Sequence, residues 1–374
     1  ELIHADRENQ ILRQPKSRRA LRLQPLAVSR RDPPAIRPDH TYLITGGRGA
    51  LGLLTAKWLI DQGARHLVLV GRSGPTEEVA SLTASRQQEG IQIAHPVTNL
   101  ADAKAAQTLL ADLAEAFPPL AGIVHAAGVI ADAALADQSV DHFRKVAEAK
   151  VQVAARLAEA LSTTGVEVDF WINYSSSAAV LGTPGQANYA AANSWLSAFP
   201  VPSRRKLTVA WGPWTAGMGA ILGDRYISRG ISGINPEQAF ALLEHLLAGE
   251  QDAAVVLPID WNRFFKASTD SQDLSPPILD LVQPAAVVAT SIITSGRDEL
   301  QATDPRQAIR QQIARTLRLD LDRLEEDRSL TSQGLDSLMA MELRHGIQKA
   351  TGRDVPVVKL LGEFSLQELV ARLT

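Results

Sequence analysis

"TYLITGGRGALGLLTAKWLIDQG", residues 41 to 63, decides the fold. Its opening is a short, continuously apolar run, which reads as a buried strand. Its second half spaces apolar residues as a helix does and stops at Gly63. Between the two, Gly47, Gly49 and Gly52 satisfy G-x-G-x-x-G. A strand before the glycines and an apolar helix after them separate a phosphate-binding turn from a chance match. Glycine lets the backbone come close to a pyrophosphate, whose charge then sits at the free N-terminus of the helix. The alternative, a glycine-rich loop with no ligand, does not account for the order strand, turn, helix.

Further strands follow at intervals. "HLVLVG", "IQIAHPV", "AGIVHAAG", "VDFWINYSSS", "KLTVAWGPW" and "AAVVLPID" are each largely apolar. Helical stretches separate them, among them "FRKVAEAKVQVAARLAEAL" and "NPEQAFALLEHLLAG", the latter opened by Asn and stopped by Gly. Continuously apolar strands alternating with helices predict a parallel sheet covered on both faces, a doubly wound α/β domain. Before it, residues 1–38 are rich in Arg and Pro, with one strand-like stretch, "RALRLQPLAV". After it, residues 267–301 turn to Ser, Pro, Thr and Asp, a linker composition. Residues 302–374 show only helical patterning and predict a small helical bundle.

The end of the second strand bears on which dinucleotide binds. An acidic residue there would accept from a ribose 2′-hydroxyl and repel a 2′-phosphate. The sequence instead reads "VGRSG", with Arg72 and Ser73. A guanidinium and a hydroxyl suit a phosphate, so the expected cofactor is NADPH.

"SSSAAVLGTPGQANYAAAN" places Tyr189 thirteen positions after Ser176. That spacing resembles the serine and tyrosine of short-chain dehydrogenases, which hold a carbonyl between them. A free tyrosine, with a pKa of about 10, needs a nearby cation to serve as an acid near neutrality. The lysine usual one helical turn on is absent, since position 193 is Asn. Lys150 in "EAKVQVAARL" is the candidate to replace it.

With "TGGRGALG", "LVGRSG", "VHAAGV", "AKVQVAARL", "YSSSAAVLGTPGQANYAAAN" and "WGPW" all in order, residues 39–266 resemble a ketoreductase domain of modular polyketide synthases. In that family the lysine and asparagine have exchanged places. The resemblance implies Tyr189 as proton donor to a ketone oxygen and Ser176 as the hydroxyl that holds that oxygen. It implies Lys150 as the group that lowers the tyrosine's pKa, and Asn193 as the holder of a relay water. Thr45, Leu51, Ala126 and Gly128 would join the three glycines, Arg72 and Ser73 around the cofactor. For stereocontrol, Ile130-Ala131-Asp132 resembles the family's LxD signature of B-type reduction. Pro184 and Asn188 match the pattern that accompanies it, and the tryptophan of A-type enzymes is replaced by Leu181. The implied product carries a D-configured β-hydroxyl. Two departures stand out: Pro96 where the family carries an aspartate near the adenine, and Pro200 and Pro202, which should end the tyrosine's helix early.

"GLDSL", residues 334–338, is similar to the attachment motif of acyl carrier proteins. Ser337 would then carry 4′-phosphopantetheine, its phosphodiester facing the free N–H groups of a helix start. A plain helix cap would explain the Asp-Ser pair but not a second bundle.

The bulk properties agree with this reading. The chain has 374 residues, is 45% hydrophobic and carries a net charge of −3, with no footprint for nucleic acid. It lacks cysteine, and its eight histidines are scattered, so neither disulfides nor a metal is expected and a reducing, cytoplasmic setting is. No apolar run is long enough for a membrane span. Opening on Glu, it reads as a piece of a longer synthase. Its expected partners are the carrier-bound acyl chain, a phosphopantetheinyl transferase, and ketosynthase and acyltransferase domains. A domain silent in reduction, scaffolding a working carrier, is the competing function.

Overall fold

The computed structural model describes residues 11–14, 17–26, 32–217, 230–264 and 305–373. Residues 184, 262, 318–320, 322–323, 334, 336, 352, 354, 361 and 363–364 fall outside that description. The chain folds as two compact units. The expected linker, residues 267–301, lies outside the described residues.

In the first unit seven strands form one wholly parallel sheet in the order β5-β4-β3-β6-β7-β8-β9. They are β3 (Thr41–Thr45), β4 (His66–Val70), β5 (Gln92–Ala94), β6 (Leu120–His125), β7 (Val168–Ser176), β8 (Ser203–Trp211) and β9 (Ala253–Val256). Successive side chains leave opposite faces of a strand. Tyr42, Ile44, Leu67, Leu69, Phe170 and Ile172 therefore enter one core. They meet α1 (Ala50–Asp61), α2 (Glu77–Gln87) and α8 (Pro236–Ala248) there. Leu43, Val68, Val70 and Trp171 enter the other core, against α3 (Ala103–Ala116), α5 (Val153–Thr164) and α7 (Ala187–Ala198). This is why the strands read as unbroken apolar runs.

Local signals behave as their chemistry requires. Asn235 caps α8 by accepting from the Glu237 N–H, with Pro236 in the first turn. α7 ends at Ala198, just before Pro200 and Pro202. Two expectations are corrected. Of the described residues in the strand-like stretch "RALRLQPLAV", only Arg19 and Ala20 are in a strand, and its residues 27–28 lie outside the description. The hairpin instead pairs β1 (Ile11–Gln14) with β2 (Ser17–Ala20), and residues 21–26 are irregular, leading into Pro25, which has no N–H to pair. The long helical stretch is not continuous either. α4 (Val140–Ala147) passes into a π-helical turn, Glu148–Gln152, where the Val153 N–H reaches back to the Glu148 carbonyl, before α5 resumes.

The second unit is helical: α9 (Pro305–Leu317), α10 (Ser337–Thr351), the short α11 (Val357–Leu360) and α12 (Leu366–Leu373). Ile309, Ile313, Leu330, Leu343, Ile347 and Leu366 fill its core. Among the described residues no helix is long and apolar enough to cross a membrane.

Candidate functional site

Strand order reverses between β3 and β6, so the chain leaves these neighbours in opposite directions and a crevice opens beyond their C-terminal ends. The glycine turn lies on one side of it. Gly46 adopts φ +67°, and a Cβ there would stand 2.7 Å from the Ala127 backbone. A Cβ on Gly47 would stand 2.8 Å from the Leu69 Cα, and one on Gly52 would overlap the Gly46 carbonyl. Gly49 differs, because a Cβ would meet only the Gly46 oxygen, at 3.4 Å. Gly46, Gly47 and Gly52 thus let three pieces of backbone close together, while Gly49 faces outward. Gly46 stands outside the G-x-G-x-x-G pattern, and its positive φ is what that pattern missed. Gly49 opens α1 with no side-chain cap and no acidic residue in the first turn, which leaves N–H groups for an anion. Leu51 lies in that first turn, partly buried against the core, and its carbonyl accepts from the Thr55 hydroxyl at 2.7 Å.

On the other side, the loop after β6 is stitched to the turn. Ala126 N–H donates to the Thr45 carbonyl at 3.1 Å and Ala127 N–H to the Thr45 hydroxyl at 3.4 Å. Gly128 lies over the lysine: a Cβ there would come 2.8 Å from the Lys150 Cε. Lys150 sits in the π turn, 3% exposed, and its ammonium donates to the Tyr174 carbonyl at 2.6 Å. Burial pulls its pKa down to about 7. The π turn packs against α7, which carries Tyr189 and Asn193 one turn apart.

Asn193 is fully buried and fixed on two sides. Its amide donates to the Tyr189 carbonyl at 2.8 Å, and its own carbonyl accepts from the Ser175 hydroxyl at 3.1 Å. Its Oδ1 is buried with no protein partner among the described residues, a group with the chemistry to hold a water. Ser176, half-buried at the end of β7, accepts from the Ala178 N–H at 3.2 Å.

The loop bearing Asp132 is tied to the start of α7. Buried Asn188 donates to the Ala131 carbonyl at 2.7 Å and to the His142 carbonyl at 3.2 Å, while accepting from the Tyr189 N–H at 2.8 Å. The exposed carboxylate of Asp132 accepts from the Gln186 amide at 2.9 Å. Gln186 is itself buried and had no sequence signal, since a glutamine at a helix start has no signature. Leu181 ends the short helix α6 (Ala178–Leu181), and Pro184 lies outside the described residues.

Arg72 and Ser73 are exposed just beyond β4, with Arg72 3.9 Å from Glu148. Arg48, inside the glycine turn, is buried and donates to the Gly71 carbonyl at 3.4 Å and to the His95 carbonyl. It thereby holds the ends of β4 and β5 beside the turn. In the helical unit Ser337 opens α10, and the Gln333 side chain pins the preceding loop through the Glu325 backbone at 2.8 and 3.0 Å. The side chain of Ser337 and its neighbour Asp336 lie outside the described residues.

Comparison with known proteins fits both units. A family profile described as "KR domain" matches residues 40–216, and one described as "Phosphopantetheine attachment site" matches residues 307–373. A phenolphthiocerol/phthiocerol polyketide synthase polypeptide of Mycobacterium tuberculosis is 34% identical over 355 residues, covering 91% of this chain but 16% of its own length. Polyketide synthase GfsA of Streptomyces halstedii is 33% identical over 83% of this chain and 4% of its own. Among solved structures, A-type ketoreductases from a modular polyketide synthase align with TM-score 0.63 and 31% identity, over 75% of this chain and 60% of theirs. A ketoreductase from the first module of phoslactomycin biosynthesis in a Streptomyces species aligns with TM-score 0.65 and 28% identity, over 72% of this chain and 64% of its own. The chain thus spans a small part of the curated relatives it matches.

Proposed function

From the premise that the chain belongs to the ketoreductase and carrier-domain families of polyketide synthases, we propose that it reduces a carrier-bound β-ketoacyl thioester to the β-hydroxyacyl thioester, with NADPH as cofactor. The observation that carries this reading is Lys150, whose ammonium is enclosed at Gly128 in a turn packed on the helix of Tyr189.

The cofactor's diphosphate would lie at the glycine turn and the uncapped start of α1, with Thr45, Ala126 and Gly128 along its path. Arg72 and Ser73 are the residues for a 2′-phosphate. When bound, a reduced nicotinamide supplies the hydride that the β-carbon receives. Ser176 and Tyr189 hold the ketone oxygen through their hydroxyls, and Tyr189 gives that oxygen its proton. The Lys150 charge stabilises the phenolate left behind, and the water held at Asn193 returns the proton. Asn188 and Gln186 tie the loop that bears Asp132 to the start of α7, and the Ile130-Ala131-Asp132 signature on that loop is what favours a B-type approach and a D-configured hydroxyl. Pro184 and Leu181 belong to the same stereocontrol set. Ser337 bears the phosphopantetheine, loaded by a phosphopantetheinyl transferase, and the ketosynthase and acyltransferase domains of the same synthase supply the chain.

The test uses the full chain with NADPH and a β-ketoacyl thioester mimic, following nicotinamide absorbance and the configuration of the product. Tyr189→Phe should abolish turnover. A folded Tyr189→Phe variant with wild-type turnover would refute the mechanism, and an L-configured product would refute the stereochemical assignment.

A further inference from the structure

Behind the candidate site lies a buried histidine that the mechanism above does not use. His125 ends β6, is fully buried, and pairs in register with Thr45 on β3. Its Nε2 lies 2.9 Å from the Lys150 carbonyl oxygen and its Nδ1 lies 2.7 Å from the Thr45 hydroxyl. A carbonyl only accepts, so the hydrogen is on Nε2. In the neutral ring Nδ1 is then an acceptor, and the Thr45 hydroxyl donates to it. Thr45 accepts in turn from the Ala127 N–H. With the imidazole neutral, both its nitrogens and the Thr45 hydroxyl are satisfied, whereas an imidazolium would leave the Thr45 hydroxyl hydrogen without an acceptor along this path. Burial, and next the Lys150 ammonium, push its pKa down to about 3.

We infer that His125 is a positioning residue: its Nε2–H holds the π turn that aims Lys150, and its Nδ1 ties that turn to the cofactor-binding strand through Thr45. A π turn opens the helical ladder by one residue, and such turns are rare in helices and frequent at functional sites. Here the backbone carbonyl of the lysine itself takes a donor from outside the helix. One hydrogen-bonded path therefore runs from the glycine turn to the backbone of the residue whose charge the reaction uses. The inference rests on the proposed role of Lys150.

Two variants of the full chain test it. His125→Leu leaves the buried Lys150 carbonyl unpaired. His125→Gln places an amide N–H where Nε2–H stood. In His125→Leu, kcat should fall about 10- to 100-fold, the cost of a misplaced catalytic group. The limb of the kcat–pH profile that reports Lys150 should move, and the KM for the thioester should change little. His125→Gln should recover most of the loss. Independently, 15N NMR of the cofactor-free chain should show His125 as the neutral Nε2–H tautomer from pH 8 to about 5. A folded His125→Leu with wild-type kcat and pH profile would overturn the inference. So would an imidazolium signal at pH 6, or a folded His125→Gln as impaired as Lys150→Met. If His125→Leu does not fold, the Gln variant and the NMR signal decide. Wild-type turnover in Lys150→Met would instead sink the proposed mechanism, whereas an inactive Lys150→Met beside a normal His125→Leu sinks this inference alone.

Discussion

The ammonium of Lys150 and the carbonyl of Tyr174 stand 2.6 Å apart inside the fold, where the π turn meets β7. A lysine enclosed this way is costly to charge, and its pKa falls from 10.5 to about 7. Near neutrality it is thus poised between its two forms, and a bound diphosphate or a developing phenolate favours the charged one.

That poise appears in stability. Between pH 7 and about 10.5 the unfolded chain holds a proton on Lys150 that the folded chain has released. Stability of the cofactor-free domain should therefore rise with pH across this window, with a contribution of up to about 1.4 kcal/mol per unit. Below pH 7 both states are protonated, and the cost of the buried charge is fully present. Denaturant unfolding at pH 7 and pH 9 should show the rise, and Lys150→Met should flatten it. It should also lower kcat by about 10² or more. Equal slopes in the two proteins would mean that Lys150 is solvated.

The glycines of the turn should separate by function. In Gly52→Ala the new methyl meets backbone, the Gly46 carbonyl and, at 2.6 Å, the Gly47 Cα. A loss of about 1–3 kcal/mol or more in stability should follow. Gly49→Ala meets only one oxygen at 3.4 Å and should keep the melting temperature while weakening NADPH binding. Thermal unfolding and a nicotinamide fluorescence titration check both, and a destabilised Gly49→Ala would contradict the outward placement of that residue.

Arg72 should discriminate between cofactors. A guanidinium on a 2′-phosphate adds about 1.5–3 kcal/mol, and NADH offers it nothing to bind. Arg72→Ala should therefore raise the KM for NADPH about tenfold or more and leave that for NADH nearly unchanged. Equal effects on both would assign the preference elsewhere, Arg48 being the next cation along the turn.

Ser337 should be the only modified serine. On treatment with a phosphopantetheinyl transferase and coenzyme A, the intact mass of the wild type should rise by one arm and that of Ser337→Ala should not. A rise in Ser337→Ala would point to Ser329 or Ser332 in the loop before α10.

The centre of the sheet was legible because β3, β4, β6 and β7 are buried on both faces and so write themselves as largely apolar runs, whereas the outer strands β5 and β9 are partly exposed. The cap at Asn235 and the stop before Pro200 were legible for equally local reasons. The π turn was not, since "AEAKVQVAARL" satisfies helical spacing throughout, and nothing in its letters marks the Val153 N–H bond back to the Glu148 carbonyl that widens it. Gln186 was invisible because its partner, Asp132, lies 54 residues away in sequence. The β1–β2 hairpin escaped notice because Ile11–Gln14 and Ser17–Ala20 are too short and charged to give a pattern. Gly46 was passed over because the motif fixes spacing and says nothing of φ.

The sheet also does not stop where the ketoreductase profile does, at residue 216. β9 completes the hydrogen bonding of β8, with the Gly212 N–H on the Val256 carbonyl at 2.8 Å. α8 brings Phe240 against Trp58 and Trp214, at 5.5 and 5.7 Å between ring centres. Anyone splicing this unit into another synthase should place the downstream junction past Val256. A cut nearer the profile's edge would strip an aromatic wall and bare a strand's backbone, inviting the graft to clump before its chemistry could be assayed.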